Sequence, residues 1–256
     1  MSKRNTQQRR HAILNLVNES GEVTVDELSL RFETSEVTIR KDLTALEENG
    51  LLFRRFGGAI SVPKDISQGS YQTLSANKLA IAAAAANLIK DHNRIIIDSG
   101  STTIGLIEHL NDKRGLVVMT NSLQLAVAIN ELEHEPTLLM TGGTWDRHSE
   151  SFQGRVAEQV LKSYNFDQLF IGADGLDLDR GTTTYNELTE LSNLMAKVSR
   201  DVIVMLESDK LGRVIPNLEL PWNTVNVLVT DDRLAKDAVQ KIKGYGVEVI
   251  LSPYRK

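Results

Sequence analysis

The spacing of apolar residues divides the chain into two parts with different patterns. In the first 50 residues, apolar positions recur every three or four residues, which is typical of helices that bury one face. From Lys78 onward, helical stretches alternate with short, unbroken runs of Val, Ile and Leu. We therefore expect a small, mainly helical domain followed by a larger α/β domain.

Three helices are predicted in the first part. The first runs from Arg9 to Glu19, with Gly21 just beyond its end. Thr24-Val-Asp-Glu27 has the form of a capping box and opens a short second helix. After a tight turn, a third helix spans Ser35 to Glu48, with Ser35 as N-cap and Gly50 as the terminating residue. The buried face of this third helix would carry Ile39, Leu43 and Leu46.

The second and third helices have the spacing of a helix-turn-helix, and a hairpin follows them. Residues 51–62 are predicted to form two short strands around Gly57-Gly58, a dipeptide that favours a two-residue turn. A hairpin in this position is a wing. The sequence therefore predicts a winged helix-turn-helix.

The exposed side of the third helix carries short polar and basic groups suited to base edges and phosphates. The pairs Arg9-Arg10, Arg40-Lys41 and Arg54-Arg55 flank it. Any one basic pair is explained well enough as a solvated surface, but three pairs around one helix favour binding to double-stranded DNA. The candidate DNA-binding residues are Arg9, Arg10, Ser35, Glu36, Thr38, Arg40, Lys41, Thr44, Arg54 and Arg55.

The overall charge does not oppose this interpretation. The net charge is -5, yet residues 1–60 hold nine basic and nine acidic residues, so the deficit lies entirely in the rest of the chain. Local basic clusters can still contact phosphates. The absence of cysteine excludes disulfides and thiolate chemistry, and five histidines without clustered spacing predict neither a metal site nor a cofactor.

No apolar stretch is long enough to span a membrane, and the polar start Met-Ser-Lys-Arg-Asn is unlike a signal peptide, so we expect a cytoplasmic protein. We place the DNA-binding domain at residues 1–62, a linker at 63–76 and the α/β domain at 77–256. The linker assignment rests on polar and glycine residues that interrupt any apolar period.

Seven apolar runs lie in the second part, and they lack polar alternation. They predict strands covered on both faces, hence a mainly parallel sheet, in which ligands bind beyond the carboxyl ends of the strands. The runs are Arg94–Asp98, Leu116–Thr120, Pro136–Thr141, Gln168–Gly172, Val202–Leu206, Val225–Val229 and Val247–Leu251.

The loops after the first five runs are rich in hydroxyl, glycine and carboxylate residues. Each is ordinary turn chemistry when taken alone, but five on one sheet edge predict a polar pocket for a small, anionic, hydroxyl-rich molecule. Residues 98–103 would cradle an anion, Lys210 would supply a positive charge, and Asp174 and Glu187 would accept hydroxyls. The loop segments are Asp98-Ser-Gly-Ser-Thr-Thr103, Thr120-Asn-Ser122, Thr141-Gly-Gly-Thr144, Gly172–Asp177 and Glu207–Gly212.

The run Thr38-Ile-Arg-Lys-Asp-Leu43, followed by Arg55-Phe-Gly-Gly-Ala59, resembles the N-terminal domain of the DeoR family of bacterial repressors. The five loops resemble the sensor domain of the same family, which is similar in fold to ribose-5-phosphate isomerase, glucosamine-6-phosphate deaminase and CoA transferases. The resemblance thus covers the whole chain. It implies a repressor of a carbohydrate operon that binds operator DNA with the Ser35–Glu48 helix in the major groove.

The resemblance also implies a phosphorylated sugar or sugar alcohol as effector. Its phosphate would bind Ser99, Gly100, Ser101, Thr102 and Thr103, and other predicted contacts are Asp98, Thr120, Asn121, Gly142, Gly143, Asp174, Asn186, Glu187 and Lys210. The loops at 98–102, 119–123 and 141–145 look most like those of members that serve hexitol and amino-sugar operons. The family commonly has Asp-Ser-Ser-Lys-Phe-Gly where this chain has Glu207-Ser-Asp-Lys-Leu-Gly212, and Asp209 could neutralise Lys210.

A sugar-phosphate isomerase or deaminase with a DNA-binding appendage is the alternative. Such chemistry needs a carboxylate base, for which Asp174 and Glu187 are candidates, and a group for ring opening. His109, His134 and His148 do not directly follow a strand, where a ring-opening base would be expected. We therefore expect no enzyme activity. Because operators commonly mirror the symmetry of an oligomer, we also expect a homodimer or homotetramer.

Overall fold

The computed structural model describes residues 3–47, 51–55, 57–61, 74–147, 149–186, 189–213, 215 and 217–255. The chain divides into two compact units, Met1–Gly69 and Ser70–Lys256, here called the N-terminal and C-terminal units. The division falls inside the predicted linker 63–76, of which residues 63–73 lie outside the described part.

The N-terminal unit contains the three predicted helices, α1 (Lys3–Ser20), α2 (Val25–Arg31) and α3 (Glu36–Glu47). Helix α1 starts at Lys3, earlier than the predicted Arg9. The capping box of α2 is confirmed, because the Thr24 hydroxyl accepts from the Glu27 backbone N–H and the Glu27 carboxylate accepts from that of Thr24. The Ser35 hydroxyl caps α3 by accepting from the Thr38 N–H at 3.2 Å. Gly50 lies outside the described residues.

The predicted hairpin forms from strands β2 (Leu52–Arg55) and β3 (Gly58–Ser61), and a short strand β1 (Glu22–Thr24) pairs with β3 on its other side. Strand β1 was not predicted, because three residues are too few to show an alternation. Gly58 permits this pairing, since a Cβ there would collide with the Val23 carbonyl oxygen. The helices and sheet enclose a core that consists mainly of Ile13, Val17, Val25, Leu28, Ile39, Leu43, Leu46 and Leu52.

In the described part of the C-terminal unit, seven strands form an entirely parallel sheet: β4 (Arg94–Ile97), β5 (Val117–Thr120), β6 (Thr137–Met140), β9 (Phe166–Ile171), β12 (Ser199–Met205), β14 (Val227–Asp231) and β15 (Glu248–Ser252). All seven predicted runs are strands of this sheet, although the sixth lies two residues later than predicted. Their order across the sheet is β15-β14-β12-β9-β4-β5-β6.

Helices cover both faces of this sheet, which explains why the strands are apolar without alternation. Ile95 and Ile97 belong to one buried cluster, with residues of three helices: α4 (Ala76–Ala86), α5 (Ile107–Leu110) and α6 (Leu123–Asn130). Ile96 belongs to another, with residues of α7 (Arg155–Leu161), α8 (Glu190–Lys197) and α9 (Lys236–Gly244). Successive strand residues point to opposite faces, so both clusters need apolar side chains.

Helix α4 corrects the predicted end of the linker. Ser75 is its N-cap, accepting from the Lys78 N–H at 3.1 Å, and Ala76 is its first residue. Residues 74–76 therefore belong to the C-terminal unit. The apolar period was hidden because the helix opens with the polar residues Ser75, Asn77 and Lys78.

Two antiparallel additions to the C-terminal unit were not predicted. Strands β7 (Thr144–Asp146) and β8 (Ser151–Gln153) form a hairpin, and β10 (Gly175–Asp177), β11 (Gly181–Thr184) and β13 (Asn217–Pro221) form a small sheet. Their polar residues, such as the threonines of β11, do not distinguish a strand from a loop. Short 3-10 helices lie at Thr103–Leu106, Ser208–Lys210 and Trp222–Thr224.

The strand order brings the five polar loops together. Strands β12, β9, β4, β5 and β6 are consecutive neighbours, and because they are parallel their carboxyl ends share one edge. The chain runs from β4 toward β6 and then crosses to β9 on the other side of β4, which places the topological switch point between β4 and β9. In sheets of this kind, the switch point is where a crevice for ligands opens.

Candidate DNA-binding surface and effector site

Helix α3 presents the surface expected of a recognition helix. Ile39, Leu43 and Leu46 are buried beneath it, while Arg40 and Lys41 are exposed. The guanidinium of Arg40 donates to the Glu36 carboxylate at 2.8 Å, one turn earlier, and both side chains are about half exposed. This pair is solvent-screened and can be exchanged for a phosphate contact at little cost.

The hairpin lies against the same helix. The Arg54 guanidinium donates to the Thr44 hydroxyl of α3 at 3.0 Å, and the Arg54 backbone N–H donates to Glu47 at 3.0 Å. Arg55 forms an ion pair with Glu22 of β1. The structure thus brings Arg40, Thr44 and Arg54 together on one exposed surface.

The pair Arg9-Arg10 has a structural role that the sequence did not indicate. Both guanidinium groups donate to the carboxylate of Asp42 in α3, at 2.6 and 2.8 Å. Asp42 is only 2% exposed and Arg9 only 10%, so the Arg9 charge points into the unit. The prediction that Arg9 contacts phosphate finds no support in this geometry, whereas Arg10 is 36% exposed. The signal for Asp42 was available, because an acidic residue stands on the apolar face of α3.

The loop after β4 is held closed by its own hydroxyls. The Thr103 hydroxyl donates to the carbonyl oxygens of Asp98 and Gly100, at 2.7 and 3.0 Å, and Thr102 and Thr103 are buried. Thr103 therefore shapes the loop, and the hydroxyls of Ser99 and Ser101 are more accessible. The helix that follows begins as a 3-10 turn, Thr103–Leu106.

Asn121, in the loop after β5, connects this loop to its neighbour. Its side-chain oxygen accepts from the Ser99 N–H at 3.0 Å, and its nitrogen donates to the Asp98 carboxylate at 2.7 Å. Asn121 is buried, so these bonds fix the positions of both loops. The neighbouring Thr120 hydroxyl accepts from the Ser122 N–H at 3.1 Å and is also buried, which gives Thr120 a role in the turn.

The two glycines after β6 have backbones that a side chain would strain. Gly142 has φ 60° and Gly143 φ 117°, and a Cβ on Gly143 would collide with the Gln153 carbonyl oxygen of β8. The turn thus favours glycine at both positions, and the packing of the β7-β8 hairpin also requires it at Gly143.

Asp174 lies in the loop after β9, the strand that flanks the switch point, and Asn186 lies just after β11. The Asp174 carboxylate accepts from the Thr184 hydroxyl at 2.8 Å and from the Tyr185 N–H at 3.2 Å. The Asn186 carbonyl oxygen accepts from the side chain of Asn217 at 3.1 Å. Glu187, the remaining predicted contact of this segment, lies outside the described residues.

Lys210 is buried in the loop after β12. Its ammonium group donates to the carbonyl oxygen of Ala173 at 2.8 Å, and Ala173 directly precedes Asp174. Asp209 is more than half exposed and pairs with Arg213 at 3.3 Å. The carboxylate of Asp209 thus has a cationic partner of its own.

A second lysine stands at the loop after β4, and the sequence pattern did not indicate it. The ammonium group of Lys78, in the first turn of α4, donates to the Ser101 hydroxyl at 2.8 Å. Nothing local identifies Lys78, because it is a single charge in an alanine-rich helix and lies 23 residues before Ser101 in sequence.

A third carboxyl group, Glu219 of β13, joins Asp98 and Asp174. It is buried, and it accepts from the Ser192 hydroxyl at 2.9 Å. Burial, together with the negative charges of Asp98 and Asp174, raises the pKa of Glu219 to about 8. Burial likewise raises the pKa of Asp98 to about 6, although the hydrogen bonds from Asn121 and Ser99 lower it. The site therefore holds a carboxyl that keeps its proton at neutral pH.

We expect stability to depend on Glu219 with a defined sign. Because the folded chain binds this proton more tightly than the unfolded chain does, the free energy of unfolding should fall as pH rises from about 4.5 to about 8. The Glu219→Gln variant should lose much less thermal stability between pH 7 and 8.5 than the wild type. Glu108→Gln, at an exposed position of the same unit, is the control. If the melting temperatures of the wild type and of Glu219→Gln change equally with pH, Glu219 does not have the raised pKa assigned to it.

Among the described helices, none combines the length and apolar character that a bilayer crossing requires. In the same described ranges, no three His, Asp or Glu residues are grouped in a way that could hold a metal ion.

Together, these features define a class of protein: a winged helix-turn-helix joined to a parallel α/β unit with polar loops gathered around its switch point. Comparison with known families agrees. Residues 9–65 match the DeoR-like helix-turn-helix domain and residues 74–232 match the DeoR C terminal sensor domain. The chain belongs to the DeoR family of DNA-binding transcriptional regulators, and it is a regulator rather than an enzyme.

Full-length relatives are similar over nearly the whole chain. A protein of Escherichia coli O157:H7 named as an aga operon transcriptional repressor is 36% identical, over 96% of this chain and 94% of its own. The regulator GlpR of Haloferax volcanii is 32% identical, over 95% of this chain and 96% of its own. Among solved structures, ribose 5-phosphate isomerase A of Methanocaldococcus jannaschii is 18% identical with a TM-score of 0.38, covering 52% of this chain and 53% of its own. A similarity at that score says nothing about activity.

Proposed function

We propose that this regulator represses a carbohydrate-utilisation operon and is released from its operator by a phosphorylated sugar or sugar alcohol. The observation that carries the effector proposal is the convergence of five polar loops on one sheet edge, across the switch point between β4 and β9. Repression is supported by the name of the Escherichia coli relative, an aga operon repressor. Since operator DNA is the target, the protein would act in the cytoplasm.

For DNA, we propose that α3 enters the major groove and the β2-β3 hairpin contacts the backbone. The exposed Arg40 and Lys41, with Thr44 and Arg54 beside them, support this arrangement. A helix-turn-helix of this kind reads a half-site, so we further propose a homodimer or homotetramer that binds a symmetric operator. The domain boundaries at 62 and near 74, with the linker between them, are part of this proposal.

For the effector, we propose that the phosphate binds the loop Ser99–Thr103 beside Lys78. The ammonium group of Lys78 already lies 2.8 Å from the Ser101 hydroxyl, which is where a phosphate oxygen would be recognised. Carboxylates and amides at the same edge would accept and donate to sugar hydroxyls. The candidates for those contacts are Asp98, Asn121, Asp174 and Asn186.

The effector site can be tested by crowding the phosphate loop. Gly100→Val should abolish binding of the effector, because the valine side chain would occupy the approach to Ser99 and Ser101. The variant should still bind operator DNA. Screening hexose, hexosamine and hexitol phosphates against the wild type by thermal shift would identify the ligand, and calorimetry would then compare the variants.

Gly244→Val is the matched control for this test. Gly244 ends α9 in open space, whereas a Cβ on Gly100 would lie 3.3 Å from the Thr103 hydroxyl. Unchanged affinity for the identified sugar phosphate in Gly100→Val would exclude this loop as the phosphate site. A loss of affinity in both glycine variants would point to general destabilisation instead.

A further inference from the structure

One carboxylate holds the first turn of α4. Glu207, at the start of the loop after β12, accepts from the Ser75 hydroxyl at 3.3 Å and from the Asn77 side chain at 3.0 Å. The ammonium group of Lys78 lies 4.0 Å from its other oxygen. Three residues from a single helical turn thus converge on Glu207, in the unit where α4 is the first described element.

A neighbouring carboxylate provides a fixed anchor. Asp231 is fully buried and accepts from the backbone N–H and the hydroxyl of Ser208, at 2.8 and 2.7 Å, and from Asn77 at 3.1 Å. Burial would raise the pKa of Asp231, but these hydrogen bonds and that from Arg233 lower it to about 2. Asp231 therefore stays ionised. Glu207 is less constrained, since it is 18% exposed and bonded mainly to the helix turn.

Lys78 stands between Glu207 and the proposed phosphate site. Its ammonium group donates to Ser101 on one side and faces Glu207 on the other, and the side chain is 11% exposed. A phosphate dianion at Ser101 would carry about twice the charge of the Glu207 carboxylate. It would draw Lys78 toward itself and repel Glu207 in a partly desolvated setting, where charges interact strongly.

We propose that Lys78 and Glu207 form a switch through which the effector phosphate loosens the first turn of α4. The inference rests on the proposed effector site and adds how its occupancy is reported. When phosphate binds, Lys78 exchanges Glu207 for phosphate, and Glu207 withdraws from Ser75 and Asn77. Ser75 is the N-cap of α4, and its hydroxyl donates to Glu207. When Glu207 withdraws, the first turn of α4 therefore loses the hydrogen-bond partner of its capping hydroxyl.

The experiment measures amide hydrogen exchange in the full-length chain, with saturating inorganic phosphate or with chloride at equal ionic strength. The N–H groups of Lys78 and Leu79 report directly, because they donate to the hydroxyl and the carbonyl oxygen of Ser75. We expect phosphate to speed exchange across residues 76–79. The core of α4, around Ile81 and Ala85, should not change.

Glu207→Gln tests the switch from the other side. Removing the charge should raise phosphate affinity by about fivefold or more, the low end of typical couplings, and should speed exchange in the first turn without phosphate. Asp209→Asn is the matched control, because it removes a charge from the same loop. The Asp209 carboxylate pairs with Arg213 and not with α4. Glu207→Asp keeps the charge and shortens the reach, so it should speed exchange with a smaller gain in affinity.

Three negative outcomes are distinguishable. In the first, phosphate binds, its binding is lost when Ser101 is substituted, and amide hydrogen exchange at residues 76–79 stays unchanged. This result would overturn the switch alone. The switch would also fail if Glu207→Gln and Asp209→Asn raised phosphate affinity equally. Absence of Ser101-dependent phosphate binding in the wild type would overturn the proposed effector site and the switch with it.

Discussion

Replacing Asp42 with alanine is expected to destabilise the N-terminal unit by about 3–5 kcal/mol, the usual cost of removing one partner from a buried ion pair. Without Asp42, the Arg9 guanidinium would remain nearly buried with no counter-charge. A unit of this size buries a modest share of its surface and has little stability to spare. The variant should therefore lose the folded helix-turn-helix, and operator binding with it.

Hydrogen exchange in α1 and α3 of the full-length variant would measure this loss, separately from the C-terminal unit. Glu36→Ala is the control, since it removes a carboxylate from the same helix but from an exposed pair, which should cost well under about 1 kcal/mol. If the amides of α3 are as well protected from hydrogen exchange in the Asp42→Ala variant as in the Glu36→Ala variant, the buried carboxylate does not hold the unit together.

Changing Arg40 or Lys41 to alanine should each weaken operator binding by about 1–3 kcal/mol and leave the fold intact. Both side chains are exposed, and neither contributes to the core. The loss of affinity should be largest for the operator sequence and small for duplexes of unrelated sequence, because contacts to base edges carry the sequence information.

A duplex selected by the wild-type chain from a random library would serve as operator in a titration at fixed salt. Lys243→Ala removes the same charge from an exposed position of α9 and should bind the duplex as the wild type does. Undiminished operator affinity in the Arg40→Ala, Lys41→Ala double variant would remove α3 from the proposed interface.

The features that the sequence predicted well depend on local patterns. The capping residues Thr24 and Ser35 act on N–H groups three residues away, so the helix starts could be recognised directly. The strands of the parallel sheet could be recognised because both faces are covered. The carboxyl ends of parallel strands lie at the same edge of the sheet, which allows residues as distant as Asp98 and Asp174 to be placed at that edge from the sequence alone.

The features that were missed depend on side chains far apart in sequence. Arg9 meets Asp42 across 33 positions, and Lys78 meets Ser101 across 23. Such pairs are set by the packing of whole elements, and a lone charge does not indicate its partner. Glu219 was missed for a further reason, since it lies on a strand of a small sheet whose polar sequence resembles that of a loop.

The position of β4 at the switch point has a consequence for how the protein is made. One edge of β4 pairs with β5, which follows soon after it, but the other edge pairs with β9, which begins only at Phe166. At about 5–20 residues per second, the ribosome needs several seconds to supply that partner. During this time the nascent chain would expose an apolar, unpaired strand edge, which is a site for aggregation.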